Sequence, residues 1–525
     1  MSRWKTAILL LGTLLTVGLA GGHHLAVNHA ESELISRNLE WEQRISKPLS
    51  VRWINIRGPG ITADAVVARF GWPITITIES PDVNLSDADI GHAGKSEPPT
   101  SAQGRTVPIH VSVEDLSISW GERPLLSELS GSLTPLPNLQ GPRGQVSVRQ
   151  TEDGQTEIYG KSDIDINLEH INGSGSVMLT KSDIWTIELD VPNAIFEHEM
   201  LAKQALPPNS LQATAVWKPA TNDLQIEGSL GDVAWAVQGA FDMETADLKV
   251  SVPMVDLRAI VDLFGPLIPE GDHARITGQV GLSGTLVGPE WAWTAEPAVD
   301  NLRVTGALPP TFGGHNIQWK VRTEDGAITY RSTGPGTPGW VHHEAAGWMP
   351  AAAVAAEDIR FHSHPGFDLL AIQEALQAAP KDDRIRGGST ISQQLSKNLF
   401  LDGRRTFCRK LRELLLTMSL EHRMSKEAIL TLYLNIVEFG PGIYGIGHAA
   451  DAWFIKQPSG LTPREAAFLA SILPAPRMWH ERISKTGSVP IRRVNEVLSR
   501  MGRRGDLTAP QLQRAKRAKL RVVPP

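Results

Sequence analysis

Two textures divide this chain. From about residue 50 to 335, apolar and polar positions alternate. Val111 and Val113 lead to Leu116, Ile118 and Trp120; Ile164, Ile166 and Leu168 repeat the pattern, as do Trp185, Ile187, Leu189 and Val191. Residues two apart share one face of a strand, so this alternation predicts sheets with one buried face. Gly231-Asp232 falls between Leu224 and Ile226 on one side and Val233 to Met243 on the other, and reads as a two-residue hairpin turn. Gly278 and Gly284 punctuate a further run from Ile276 to Leu286. The region is expected to be an antiparallel β-rich one. It holds no repeat of fixed period and no His, Cys or paired-carboxylate cluster at catalytic spacing.

Past a Pro/Gly linker, Gly334-Pro335-Gly336-Thr337-Pro338-Gly339, the period becomes helical. Leu411, Leu414, Leu415 and Met418 recur at i, i+3, i+4 and i+7, one face of a helix. Thr462 before Pro463 reads as an N-cap and first helical residue. The polar stretch from about 27 to 47 and the basic stretch from Arg503 to Arg521 are also expected to be helical. The chain is therefore read as multidomain. Residues 1–26 are a membrane anchor or signal, 27–338 a β-rich region ending in the linker, 339–500 an all-α domain, and 501–525 a basic tail.

Composition sharpens this division. A chain of 525 residues exceeds one ordinary core, and 41% apolar with 21% charged residues is normal for folded protein. The net charge of -6 hides an asymmetry. From Val341 to Pro525 there are 27 Lys and Arg against 17 Asp and Glu; the remainder has 24 against 40. A basic C-terminal part fits an anionic partner such as phosphates or lipid headgroups, or else a merely solvated surface. Nucleic acid is not expected, because 6% aromatic residues offer few stacking platforms and the chain is routed out of the cytoplasm. Cys408 is the single cysteine, which excludes a disulfide within the chain and a zinc site built on Cys. With basic neighbours and no nearby His, it reads as structural.

At the N-terminus, Arg3 and Lys5 precede an apolar run from Ala7 to Ala20. The run is short for a full span of about 20 residues. It reads as a cleaved signal with Gly18-Leu19-Ala20 at the cleavage site, or as an uncleaved anchor with its positive side in the cytoplasm. Either places the rest of the chain outside the cytoplasm.

Four C-terminal segments carry candidate chemistry. The first runs from Glu357-Asp358 through Phe361 and His364 to Gly366, after the Ala-rich run 351–356. Adjacent helical residues point in different directions, so Glu357 and Asp358 are no dyad and one must act singly. Glu357 and His364, seven apart, share a face if the helix continues. The second is Gly387-Gly388-Ser389-Thr390-Ile391-Ser392-Gln393-Gln394-Leu395-Ser396-Lys397-Asn398, a glycine pair leading to a helix start that favours anions. It lacks P-loop spacing. The third, Arg404 to Glu413, sets Arg404, Arg405, Arg409, Lys410 and Arg412 around a single carboxylate, a set suited to a diphosphate. The fourth runs from Lys426 through Ile429, Leu430, Tyr433, Leu434 and Asn435 to the Gly-rich stretch 439–446.

In this order and spacing, the four segments resemble the peptidoglycan glycosyltransferases, glycosyltransferase family 51, that polymerise lipid II. The stretch 439–446 looks closest to the monofunctional biosynthetic branch, and too few residues follow it for a transpeptidase domain. The resemblance covers about Trp340 to Trp479 and implies a lysozyme-like fold. It implies an inverting displacement in which an acceptor hydroxyl attacks the donor's anomeric carbon and a polyprenyl diphosphate leaves. By the same resemblance Glu357 is the base, and Lys397, Arg405 and Arg409 bind the diphosphate. Ser389, Thr390 and Gln393 line the donor site, and Asp358 and His364 support the base-bearing segment. Glu413 orients substrate or holds a divalent cation (Mg or Mn). The implied partners are lipid II, the growing lipid-linked glycan and the membrane, with cell-wall synthesis proteins reached through the β-rich region. The implied location is the cell inner membrane, single-pass, with the bulk periplasmic. This favours the uncleaved anchor. In texture the β-rich region resembles the AsmA-like periplasmic proteins; a spacer or interaction scaffold is the plainer reading.

Two positions depart from the family pattern: Thr431 stands where it usually has Glu, and Ile455 where it usually has Gly. Two rival readings are a lytic, glycan-cleaving enzyme and a non-catalytic lipid-handling scaffold with a degenerate domain. The first has no use for a diphosphate-binding cation set, and the second no need of an intact Glu357 and Glu413.

Overall fold

The structure is a computed structural model. It describes residues 42–523 and 525, apart from 48–49, 59–60, 70–73, 81, 85–108, 121–122, 133–137, 142–143, 151–155, 168–169, 242–245, 289–291, 314–315, 323–326, 379–387 and 402–405. The expected membrane segment, most of the expected helix over 27–47, and Arg404 and Arg405 lie outside the described residues. Among the described residues no helix is long and apolar enough to cross a membrane. The chain forms two compact units, Met1–Ala194 with Ser210–Gly228, and Ile195–Asn209 with Ser229–Pro525.

The first unit is a ladder of strands. Gln43–Lys47 is a strand rather than the end of a helix, and pairs antiparallel with Ser50–Gly58 from Gln43↔Ile54 to Lys47↔Ser50. The physical reason lies next door: Pro48 disfavours the helical region at Lys47. The ladder continues through Ile61–Arg69, which buries Ala63, Ala65 and Val67 on one face, to Ile74–Glu79. There the direction changes. Ile74–Glu79 and Asp82–Asn84 both pair parallel with Ile109–Trp120. The sheet is therefore mixed, not wholly antiparallel as expected. Alternation specifies which face is buried; it carries no information on a neighbour's direction. Antiparallel pairing resumes from Arg123–Ser132 through to Ile171–Lys181.

The second unit begins with an antiparallel meander, Val233–Phe241, Ala246–Asp256, Arg275–Val287 and Ala292–Thr305. Helix α1 (Leu257–Phe264) interrupts it and turns Leu257, Val261, Leu263 and Phe264 inward. The helices that follow are α2 (Met349–Glu357), α3 (Leu369–Ala378), α4 (Ile391–Phe400), α5 (Phe407–Arg423), α6 (Lys426–Ile436), α7 (Ile446–Phe454), α8 (Pro463–Ile472), α9 (Pro476–Thr486), α10 (Ile491–Arg504) and α11 (Ala509–Arg517). The expected all-α domain also contains a small two-stranded sheet, Glu438–Gly440 with Ile443–Tyr444, whose turn includes Gly442 at φ 76°.

Helix α5 lies between two cores. Cys408, Leu411, Leu415 and Met418 pack with α1, Ile268 and Val304 of the meander, while Leu416 and Leu420 join the helical core. The leucine stripe read from the sequence is thus the meander-facing side. Further bonds fix the same helix: Phe407 N and Cys408 N donate to Met200 O and Leu201 O, and Arg412 grips Glu270 through Nε and Nη2 at 2.9 and 2.7 Å. In the helical core, α2 buries Ala352, Ala353, Val354 and Ala355, small residues that let other helices approach closely. Thr462 caps α8 in a reciprocal box with Glu465, as its sequence predicts.

The Pro/Gly segment is held in place rather than loose. Thr337 Oγ1 donates to Gly334 O at 2.7 Å, and the Asn435 amide clasps Val341 N and Val341 O at 2.9 and 2.7 Å. Thr431, at the first departure from the family pattern, is buried and lies 2.9 Å from His343 Nδ1.

Candidate active site

Glu357 is the last residue of α2, and Asp358 caps that helix. The helix stops there, so Glu357 and His364 do not share a face as a continuing helix would require. Asp358 instead takes the histidine: His364 Nε2 is 2.9 Å from Asp358 Oδ1, and Gly366 N donates to His364 Nδ1 at 3.2 Å. The second contact puts the ring proton on Nε2, where it donates to the carboxylate. The other oxygen of Asp358 accepts from Ile391 N, the first residue of α4, at 3.0 Å. Asp358 thereby ties the end of α2 to the start of α4.

Gly366 has a φ of 104°, and a side chain there would strike Thr417 and Glu421 on α5. Its carbonyl accepts from Thr390 Oγ1 at 2.5 Å. Thr390 is the N-cap of α4 and forms a capping box with Gln393. Both side chains are buried and take part in that cap. Thr390 and Gln393 thus set the start of the helix that carries Gln394 and Lys397.

Gln394 is the first of these. Its Nε2 donates to Glu357 Oε2 at 2.8 Å, and its Oε1 accepts from Tyr433 Oη at 3.1 Å. Lys397, three residues on and on the same face, is exposed. Burial pushes the Glu357 carboxyl above the usual range for glutamate. The Gln394 hydrogen bond opposes this, as do the charges of Arg493 and Arg500 on α10 and of Lys397. Arg500 also donates to Ala356 O at 3.2 Å, and Arg504 to Ile359 O at 2.9 Å, so α10 braces the end of α2. Glu357 Oε1 accepts no hydrogen bond among the described residues.

The second glutamate has different company. Glu413 is 2% exposed, and its two oxygens meet Arg409 Nη1 at 2.9 Å and Lys410 Nζ. Lys410 also reaches Ser389 Oγ at 3.2 Å, which joins the Gly-Ser segment to α5. Arg409 Nε is buried with no partner among the described residues. Two cations on one carboxylate leave no donor set for a metal, so Glu413 does not fit the divalent-cation role considered for it. One group elsewhere has metal-ligand spacing among the described residues: Asp358, His364 and Asp368. Its atoms are already engaged, Asp358 as above and Asp368 by Arg360 Nε at 2.5 Å and Ala371 N at 3.1 Å. These residues do not fit a metal either.

The fold therefore gathers Glu357, Gln394, Tyr433 and Lys397 in one place, and Arg409, Lys410, Glu413 and Ser389 in another. Arg405 lies outside the described residues. Sequence reading passed over Gln394, Tyr433 and Lys410 as individuals, although each stands in a quoted motif. It missed Arg493 and Arg500 altogether. A signal for Gln394 was present, since it precedes Lys397 by three residues on one helix.

The model of the transglycosylase family matches residues 339–502. A biosynthetic peptidoglycan transglycosylase of Aeromonas hydrophila is 43% identical over 167 residues, which are 32% of this chain and 70% of that protein. Proteins of the same name from Escherichia coli and Thiobacillus denitrificans are 50% and 47% identical over 133 and 134 residues. Each match covers 25% of this chain, which spans 55% and 57% of those relatives.

Proposed function

The chain belongs to the transglycosylase family, and we propose that it is a peptidoglycan glycosyltransferase that polymerises lipid II into glycan strands. One observation carries the reading: a half-buried glutamate with one oxygen free of hydrogen bonds among the described residues stands on a segment tied to α4, the helix that carries Lys397, while α5 presents Arg409 and Lys410.

The reaction makes three demands. A sugar hydroxyl is a poor nucleophile at neutral pH, so a positioned carboxylate must take its proton; Glu357 Oε1 does this, for about 100- to 10,000-fold in rate. The hydroxyl oxygen then bonds to the donor's anomeric carbon as the bond to the lipid diphosphate breaks, with inversion. The departing diphosphate carries away the electron pair, and Lys397, Arg409 and Lys410, with Arg405, neutralise it. Fixed cations aimed at developing charge are often the largest single catalytic effect. Glu413 acts indirectly, by holding Arg409 and Lys410. A lytic enzyme would leave the α5 cations without a task, so the transferase reading is preferred.

We further propose that residues 1–26 anchor the chain at the inner membrane, with its bulk in the periplasm, where lipid-linked substrate is met. The β-rich region is assigned to contact with other cell-wall synthesis proteins. The test is polymerisation of lipid II by the full chain beside a Glu357→Gln variant. Strands from the first and none from the second support the reading; no strands from either, where a relative makes them, would replace it with the scaffold reading.

A further inference from the structure

A carboxylate can only accept hydrogen bonds, so the Gln394 amide must turn its nitrogen toward Glu357 Oε2. Its oxygen then faces Tyr433 Oη, which must donate. Tyr433 is fully buried, and burial, with the charges of Glu357 and Asp358, holds its hydroxyl well above the usual tyrosine range. It therefore stays a donor at any pH at which the protein works. The polarity of the chain Tyr433–Gln394–Glu357 is thus fixed from its buried end.

We propose that Gln394 is a positioning residue, locked by Tyr433, that holds Glu357 Oε2 and so presents Oε1 to the acceptor hydroxyl. The proposal deepens the transferase reading and rests on it for the identity of the acceptor. It separates two tasks within α4: Lys397 serves the leaving group, while Gln394 serves the base. Gln394 is well suited to this, because a neutral donor stabilises the ionised carboxylate without trapping it in an ion pair. The charged and titratable groups facing Glu357 are Asp358 beside it, Lys397 from α4, Tyr433 from α6, and Arg493 and Arg500 from α10. Gln394 is the one neutral amide donor to Glu357 among the described residues.

The test has an arm that needs no activity. Thermal unfolding is followed against pH in the full chain and in Glu357→Gln, each with and without Gln394→Met. The difference between the Glu357 and Glu357→Gln proteins, taken once with Gln394 and once with Gln394→Met, isolates the proton of Glu357. Because burial raises its folded pKa, Glu357 costs stability as pH rises from the unfolded toward the folded value. Without the amide, the upper end of that window is expected to move alkaline by about one pH unit. An unmoved window overturns the proposal whether or not the chain makes strands. Where Gln394→Met does not fold, Tyr433→Phe carries the same test with a smaller alkaline shift.

The kinetic arm uses lipid II. Tyr433→Phe is expected to lower kcat about tenfold with KM unchanged, and to move the acid limb of kcat alkaline. A raised KM with an unmoved limb would mean that the amide serves substrate binding, against the proposal. An inactive wild type would defeat the transferase reading, and the unfolding window would still decide the role of Gln394.

Discussion

Glu357 and Glu413 are the same residue in opposite surroundings. Glu413 sits inside α5 with both oxygens engaged by cations. Glu357 ends α2, with one oxygen held by a neutral amide and the other free of hydrogen bonds among the described residues. A carboxylate clasped by a cation on each oxygen is an anchor for those cations, because two ion pairs hold it in its ionised form. A carboxylate held on one side by an amide is fixed in direction yet still able to accept a proton. The difference lies in the helices behind them: α5 supplies Arg409 and Lys410 at i-4 and i-3 from Glu413, whereas α4 supplies Gln394 to Glu357.

The largest expected break in this comparison is Glu357→Gln. It is expected to lower kcat by about 100- to 10,000-fold, measured as strand formation from lipid II. The same change is expected to raise the thermal midpoint at neutral pH, because it removes a buried carboxylate whose ionisation is costly. In the wild type, activity is expected to fall with acid at a pH above the usual glutamate range, since Glu357 must be ionised to act. An acid limb within the ordinary glutamate range would count against burial as the cause.

Next in size is Glu413→Gln. It leaves Arg409 and Lys410 without their anchor and is expected to cost about 2 kcal/mol, discounted because Lys410 is 44% exposed. Chemical denaturation measures the loss, and binding of lipid II is expected to weaken with it. Glu270→Gln tests a different face of α5. It loosens a paired contact with Arg412 and is expected to cost about 1 kcal/mol, with kcat less affected than in either glutamate variant. The smallest effect concerns Ile455. This β-branched residue ends α7 at φ 56°, in the left-handed region, and is 76% exposed. Ile455→Gly is expected to stabilise by about 1 kcal/mol and leave kcat unchanged.

The sequence made some of this legible and not the rest. The Glu357, Lys397 and Glu413 segments were legible because motif spacing survives without coordinates. The caps at Thr390 and Thr462 have the same local signature, a threonine followed three residues later by Gln393 or Glu465. At Thr462 the following Pro463 marks the cap, and at Thr390 the preceding glycine pair marks a helix start. Arg493 and Arg500 were not legible, because their bearing on Glu357 depends on α10 packing against α2 across more than 130 residues of chain. The parallel pairing of Ile74–Glu79 with Ile109–Trp120 was hidden for a similar reason: alternation looks the same in either direction. The strand Gln43–Lys47 was misread although Pro48 stood beside it as a breaker.

The division of labour between the two glutamates is tested most directly by binding and turnover of lipid II in Glu357→Gln and Glu413→Gln side by side. The account predicts that Glu357→Gln binds lipid II with wild-type affinity and makes no strands, while Glu413→Gln binds weakly. Weak binding by Glu357→Gln together with intact binding and lost turnover in Glu413→Gln would contradict it, and would move the base to α5.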